Sequence, residues 1–135
     1  MNQIISYLTF NGNCREAMSF YQNCFGGTLS LQTVGESPHS NKLPENYKGK
    51  IVHAILKNKK LTIIGTDLVD EVGLQKGNSI SLLIDTKEEE ELFKYYDKLA
   101  AGAKSFHPIQ TNFWGVLFGG LTDKFGHHWL FQCRK

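Results

Sequence analysis

Residues 4–27 read IISYLTFNGNCREAMSFYQNCFGG, and their periodicity changes once along the way. IISYLTF is rich in β-branched and aromatic residues, the composition of a short strand. Beyond it Ala17, Met18, Tyr21, Cys24 and Phe25 recur at helical spacing, with Asn13 placed to cap the start and Gly26-Gly27 to stop the end. A strand that feeds an amphipathic helix needs further strands to bury both. Three runs supply them: TLSLQTVG at 28–35, KIVHAILK at 50–57 after the polar loop ESPHSNKLPENYKG, and KLTIIGTD at 60–67 past a two-residue turn at Asn58-Lys59. The order is strand, helix, strand, strand, strand.

The plan then repeats. NSISLLID, at 78–85, places Ile80, Leu82 and Ile84 on one face, and TKEEEELFKYYDKLAAGAK carries the helical stripe Leu92, Phe93, Tyr96, Leu99 and Ala100. Thr86 is positioned as the cap, with Glu89 three residues on completing a capping box, and Glu88 to Glu91 read as a solvated first turn. SFHPIQTN, FWGVLFGGLTD and GHHWLFQC provide up to three more strands. A repeat of about 70 residues implies two similar units packed together. The chain thus divides, as one domain over 1–135, into a module 1–68, a linker 69–76 and a module 77–135.

At 135 residues such a chain can bury a core without staples, and 41% hydrophobic with 21% charged residues is ordinary for a globular protein. A formal charge of +2 is too weak a field to suggest nucleic acid or an anionic membrane as partner. The N-terminus has no basic stretch followed by an apolar run, and no run approaches the ~18 residues of a membrane span, so a cytoplasmic location is expected. Cys14, Cys24 and Cys133 are odd in number and lack CxxC spacing, which argues against a disulfide framework and a structural zinc site. They read as buried structural thiols, with a reactive thiol at Cys14, near a helix start, as the alternative.

The segment LTDKFGHHWLFQC, at 121–133, tests for a metal directly. Alternation puts His128, Leu130 and Gln132 on one face and His127, Trp129 and Phe131 on the other, so the adjacent histidines cannot share one site. Neither a nucleophile elbow nor a GxGxxG loop after a strand is present.

The stretches YLTFNGNCREAMSFYQNCFGG, KIVHAIL with LTIIGTD, and FWGVLFGGLTDKFGHHWLFQ span nearly the whole chain, and in their order and spacing the chain resembles the PhnB-like branch of the vicinal oxygen chelate superfamily. That superfamily includes glyoxalase I, fosfomycin- and bleomycin-resistance proteins and extradiol dioxygenases. The resemblance implies an α+β fold of two paired βαβββ modules, their curled mixed sheet surrounding a central cup, and a homodimer. It does not fix an activity. The positions it assigns to metal ligands are Ile5, approximately Ile64, Ser79 and Leu130, three aliphatic side chains and a poor hydroxyl ligand. No metal and no cofactor is therefore expected.

With Ile5, Ser79 and Leu130 taken as inward, alternation turns Tyr7, Thr9, Ser81, Leu83, His128 and Gln132 inward too, while Leu8, Phe10, Ile80, Leu82, Ile84 and Trp129 pack on helices. His53 and Asp67 match recurring positions of the PhnB-like pattern, and Trp114 is placed to stack on a planar ligand or to pack at a subunit boundary. For His53 the readings are a strand histidine bonded to backbone or a pocket group; for Asp67, a turn residue or a pocket group. His39 and His107 read as solvent-facing. The expected ligand-binding set is Tyr7, Thr9, His53, Asp67, Ser79, Ser81, Trp114, His128 and Gln132, orienting a small organic molecule in a mixed pocket. The alternative is an enzyme using a divalent metal relocated to His53, Asp67 and His128, or a histidine general base. A third is an interaction module whose cup is filled by its own side chains. Methyl transfer, a label some PhnB-like proteins carry, is not expected, since no Rossmann-type nucleotide turn is present.

Overall fold

The computed structural model describes residues 3–38, 40–42 and 44–134. His39 lies outside them. The chain forms two compact units that divide between Leu74 and Gln75, inside the expected linker. Each is a βαβββ module with a four-stranded mixed sheet, so the fold is α+β as the resemblance implies.

The first module comprises β1 (Ser6–Thr9), α1 (Cys14–Phe25), β2 (Thr28–Thr33), β3 (Ile51–Lys57) and β4 (Thr62–Thr66), with three short 3-10 turns between β2 and β3. Its sheet order is β1-β4-β3-β2, with β1 parallel to β4 and the rest antiparallel. Helix α1 buries Cys14, Ala17, Met18, Tyr21 and Cys24, a stripe at helical spacing. It lies directly on Gly65: a Cβ there would sit 2.9 Å from Met18 Sδ and 3.1 Å from Cys14 Sγ. Ala54, across from Gly65 on β3, keeps the same face shallow, while Leu56 and Ile63 fill its end. Each large side chain fully buried here contributes about 1.5–3 kcal/mol.

The second module comprises β5 (Leu82–Thr86), α2 (Glu89–Leu99), β6 (Ser105–Thr111), β7 (Leu117–Thr122) and β8 (His128–Cys133), in sheet order β5-β8-β7-β6. Trp129, Phe131 and Cys133 are buried on the α2 face, and the Phe131 ring meets Tyr96 edge-on at 5.0 Å. His128, Leu130 and Gln132 alternate onto the other face. Pro108, which has no N–H to give a ladder, sits on the edge strand β6, where the register shifts between His107 and Gln110. No helix among the described residues is long and apolar enough to cross a membrane.

Several local expectations are corrected. Asn13 precedes α1 but makes no side-chain cap bond; the Asp67 carboxylate, from the end of β4, takes the N–H groups of Gly12 and Cys14 instead. The capping box at Thr86 and Glu89 does not form. Thr86 ends β5, so its hydroxyl reaches the N–H of Glu88 at 3.0 Å, and α2 begins one residue later with Glu88 as an unbonded cap. The turn at Asn58-Lys59 is longer than two residues, because Asn58 Oδ1 accepts from both Lys60 N and Leu61 N and delays β4 to Thr62. Strand β5 starts at Leu82, which leaves Ser79 and Ser81 before it and Ile80 77% exposed rather than packed on a helix.

All three cysteines are buried, and none forms a disulfide. Burial, then the neighbouring Asp67 carboxylate, pushes the Cys14 thiol up to about 12 against a partial opposing pull from Arg15. A thiol this basic is no nucleophile at neutral pH. Because its folded value lies above the ordinary 9.0, the native state holds the proton longer than the unfolded chain. Its contribution to stability is complete below pH 9.0 and is lost as pH rises towards about 12. Urea unfolding across that window should show a steeper alkaline loss for the native sequence than for Cys14→Ala, and native Cys14 should resist iodoacetamide at pH 8; parallel pH curves or rapid labelling would contradict this assignment.

Candidate functional site

Helix α1 covers one face of the β1-β4-β3-β2 sheet; the register decides what stands on the other. Gln32 pairs with His53 across β2 and β3, and Ser30, Ile55, Ile64 and Tyr7 form one row across all four strands. Alternation puts these residues and Thr9 opposite the helix face that Ala54, Leu56, Ile63 and Gly65 occupy. Ile55 and Ile64 are half-buried and make an apolar floor, while Tyr7 is 57% exposed. His53 is half-buried, and among the described residues neither of its ring nitrogens has a hydrogen-bond partner. The hydroxyls of Tyr7 and Thr9 and the Gln32 amide are likewise unengaged by described residues. The next polar group, the Thr66 hydroxyl, is already committed, donating to Val52 O at 2.9 Å and accepting from Leu68 N at 3.1 Å.

The remaining sequence-expected residues have other partners. Asp67 is 3% exposed: Oδ1 accepts from Gly12 N and Cys14 N at 3.0 and 2.9 Å, and Oδ2 from Ile51 N at 2.8 Å. It braces the helix start against β3. His128 is also engaged at both nitrogens, Nε2 lying 3.1 Å from Gly77 O and Nδ1 2.8 Å from Thr122 Oγ1. A carbonyl only accepts, so Nε2 carries the proton it donates to Gly77 O. Gln132 donates to Asp85, whose carboxyl is held below its ordinary range by hydrogen bonds from Arg134 and then from Gln132. Ser79 and Ser81 are exposed ahead of β5. Trp114 is 80% exposed beside Phe113 at 93%, in the β6 to β7 turn that Asn112 Oδ1 holds through Trp114 N and Val116 N.

The metal positions implied by the resemblance do not fit a cation. Ile64 and Leu130 lie in their sheets, paired with Tyr7 and Leu83, and offer no lone pair. Among the described residues, no three His, Cys, Asp or Glu side chains converge. In the relocated trio His53, Asp67 and His128, the last two are held by the bonds above.

Two residues escaped the sequence reading. Gln32 was legible, since Leu29 and Leu31 alternate with Ser30 and Gln32 in TLSLQT. Asp123 was not: it is fully buried, with Oδ1 accepting from Phe125 N and His127 N and Oδ2 from the Trp129 indole at 2.8 Å, and as part of a turn motif it resembles any other Asp.

Over residues 2–132 the chain matches a family described as 3-demethylubiquinone-9 3-methyltransferase. It is 31% identical over 137 residues to Protein YjdN of Escherichia coli (strain K12), across 96% of this chain and 93% of that protein. The crystal structure of PA1353 from Pseudomonas aeruginosa is similar at a TM-score of 0.86 and 33% identity, covering 99% of this chain and 98% of that one. The PhnB protein from Bacillus cereus shares the fold at a TM-score of 0.73 and 23% identity, over 98% and 100%. A glyoxalase-related enzyme from Fulvimarina pelagi does so at 0.64 and 18%, over 99% and 89%.

Proposed function

Because the chain belongs to the family described as 3-demethylubiquinone-9 3-methyltransferase, we propose that it is a PhnB-like protein of the vicinal oxygen chelate superfamily that binds a small organic molecule on the open face of the β1-β4-β3-β2 sheet and needs no metal ion to do so. One observation carries this reading: a half-buried histidine, His53, without a partner among the described residues, set among Gln32, Thr9 and Tyr7 over a floor of Ile55 and Ile64. Polar groups that no described residue engages are open to solvent or to a ligand, and such a cluster over an apolar floor is a common form of ligand subsite. We further propose a homodimer, supported by the adjacent exposed rings of Phe113 and Trp114 in the β6 to β7 turn.

Thermal unfolding of the full chain against a panel of small aromatic and amphipathic compounds tests the reading. A ligand at about a hundredfold excess over its Kd should stabilise the protein by ~2.7 kcal/mol. That gain should be lost in Tyr7→Ala and in Gln32→Ala, both of which change exposed side chains and leave the core intact. Stabilisation that survives both substitutions would move the site elsewhere. Strong stabilisation by micromolar zinc or manganese(II), lost in His53→Gln, would favour the metal enzyme, and S-adenosylmethionine in the same panel tests the methyl transfer that the family description names. Sedimentation at micromolar concentration decides the oligomeric state.

A further inference from the structure

We infer that the bend between β1 and α1 is a site of spontaneous covalent modification, where the side-chain amide of Asn11 closes on the backbone nitrogen of Gly12. Asp67 sets the rate by holding that nitrogen's N–H. The site belongs to the chain itself and is independent of any ligand. Asn11 is exposed, no described residue bonds its amide, and Gly12 follows it at φ 98° with nothing within 4 Å of where a Cβ would stand. An asparagine is labile where the next backbone nitrogen can reach its amide carbon, and glycine, having no side chain, shields that nitrogen least. Asn11-Gly12 is the single such pair in the sequence; Asn13 and Asn78 precede Cys14 and Ser79, whose side chains crowd the approach.

The Gly12 nitrogen attacks Cγ of Asn11: the N–Cγ bond forms, the Cγ–Nδ2 bond breaks, and ammonia leaves with the proton that Gly12 gives up. Water then opens the cyclic imide, yielding aspartate when it adds at the side-chain carbonyl and isoaspartate when it adds at the main-chain one. No oxidant or cofactor enters. The first step requires Gly12 to release its proton and turn its nitrogen towards the side chain, and the fold opposes both. Gly12 N donates to Asp67 Oδ1 at 3.0 Å, and a bond to a buried carboxylate strengthens the hold on the proton and disfavours an amide anion beside it. The residue on the other side is fixed as well, since Phe10 is buried and its N–H donates to Thr66 O at 2.8 Å, one residue before Asp67. Asn11 is thus strung between two anchors at the end of β4. An isoaspartyl link adds a carbon to the backbone between them, so the two bonds no longer fit together, and the product loosens the start of α1 that Asp67 braces.

The full chain is incubated at mildly alkaline pH beside Asp67→Ala and Leu56→Ala, and the tryptic peptide ending at Arg15 is resolved by mass and retention into amide, aspartyl and isoaspartyl forms. In urea, conversion should concentrate at Asn11 over Asn13 and Asn78. In the native chain it should run at Asn11 about tenfold slower than in urea, the hold of one hydrogen bond. Asp67→Ala should recover most of that factor without urea. Leu56→Ala removes a buried side chain of the same module and leaves Asp67 in place, so it should stay close to the native rate. Should circular dichroism show Asp67→Ala unfolded, the native chain in sub-denaturing urea decides: conversion should follow amide exchange at Gly12. Equal acceleration in both variants, a native rate equal to that in urea, or a rate that follows global unfolding alone overturns the role of Asp67. Slower conversion in Asp67→Ala also overturns it, making the carboxylate the base that starts the closure. Conversion in urea no faster at Asn11 than at Asn13 or Asn78 removes the site itself.

Discussion

Replacing Asp67 with alanine should cost about 3–5 kcal/mol and lower the melting temperature by more than ~10 °C. The substitution strands the N–H groups of Gly12, Cys14 and Ile51, which this one carboxylate gathers at 2.8 to 3.0 Å. A buried donor left without a partner costs about 1–3 kcal/mol, and only Gly12, in an exposed turn, has water at hand to replace the loss. The carboxylate also faces the positive end of α1, which has no side-chain cap of its own. Against a total stability of about 5–15 kcal/mol the loss is large. Asp67→Asn should fall between, because its Oδ1 keeps the acceptor while its amide meets the Ile51 N–H donor to donor. Urea unfolding with amide exchange at Gly12, Cys14 and Ile51 measures this; a loss below about 1 kcal/mol with protection retained would show that water replaces the carboxylate.

Asp123→Ala should be comparably severe, about 3–4 kcal/mol, in the second module. Here the carboxylate holds the β7 to β8 turn through Phe125 N and His127 N and ties the buried Trp129 indole to it at 2.8 Å. Losing it leaves an indole N–H in a core position that is 3% exposed. The contribution of the indole bond can be isolated. Asp123→Asn with Trp129→Phe forms a double-mutant cycle in which the asparagine should cost about 1–2 kcal/mol less once the indole donor has been removed. Additive losses would mean that the turn amides, and not the indole, carry the effect.

The two helices and the alternation of HWLFQC were open to reading in one dimension, because each depends on residues within one or two turns of each other. The same holds for the unsuitability of Leu130 as a ligand, which its side-chain chemistry settles. The caps were not. Asn13 and Thr86 are the right residue types in the right places, yet a carboxylate from β4 takes over at α1, and the end of β5 draws the Thr86 hydroxyl to Glu88. The site reading shifted for a similar reason. Alternation favoured His128, whose ring turns out to be engaged at both nitrogens, whereas His53, which a strand backbone was equally expected to satisfy, has no partner among the described residues.

By itself, then, the sequence determined the order of elements, the repeat of the βαβββ plan, which face of each helix is apolar, and the aliphatic side chains at three of the four implied metal positions, since all of these are local patterns or side-chain identities. Only the tertiary structure decided which polar side chains are engaged and which stand open. Asp67 finds its partners 16, 53 and 55 residues away and His128 one of its own 51 away, so chain folding alone brings donor and acceptor within 3.1 Å. Hydrogen bonding is a short-range, directional interaction, and whether a titratable group is a brace or a binding site depends on neighbours that sequence spacing does not reveal.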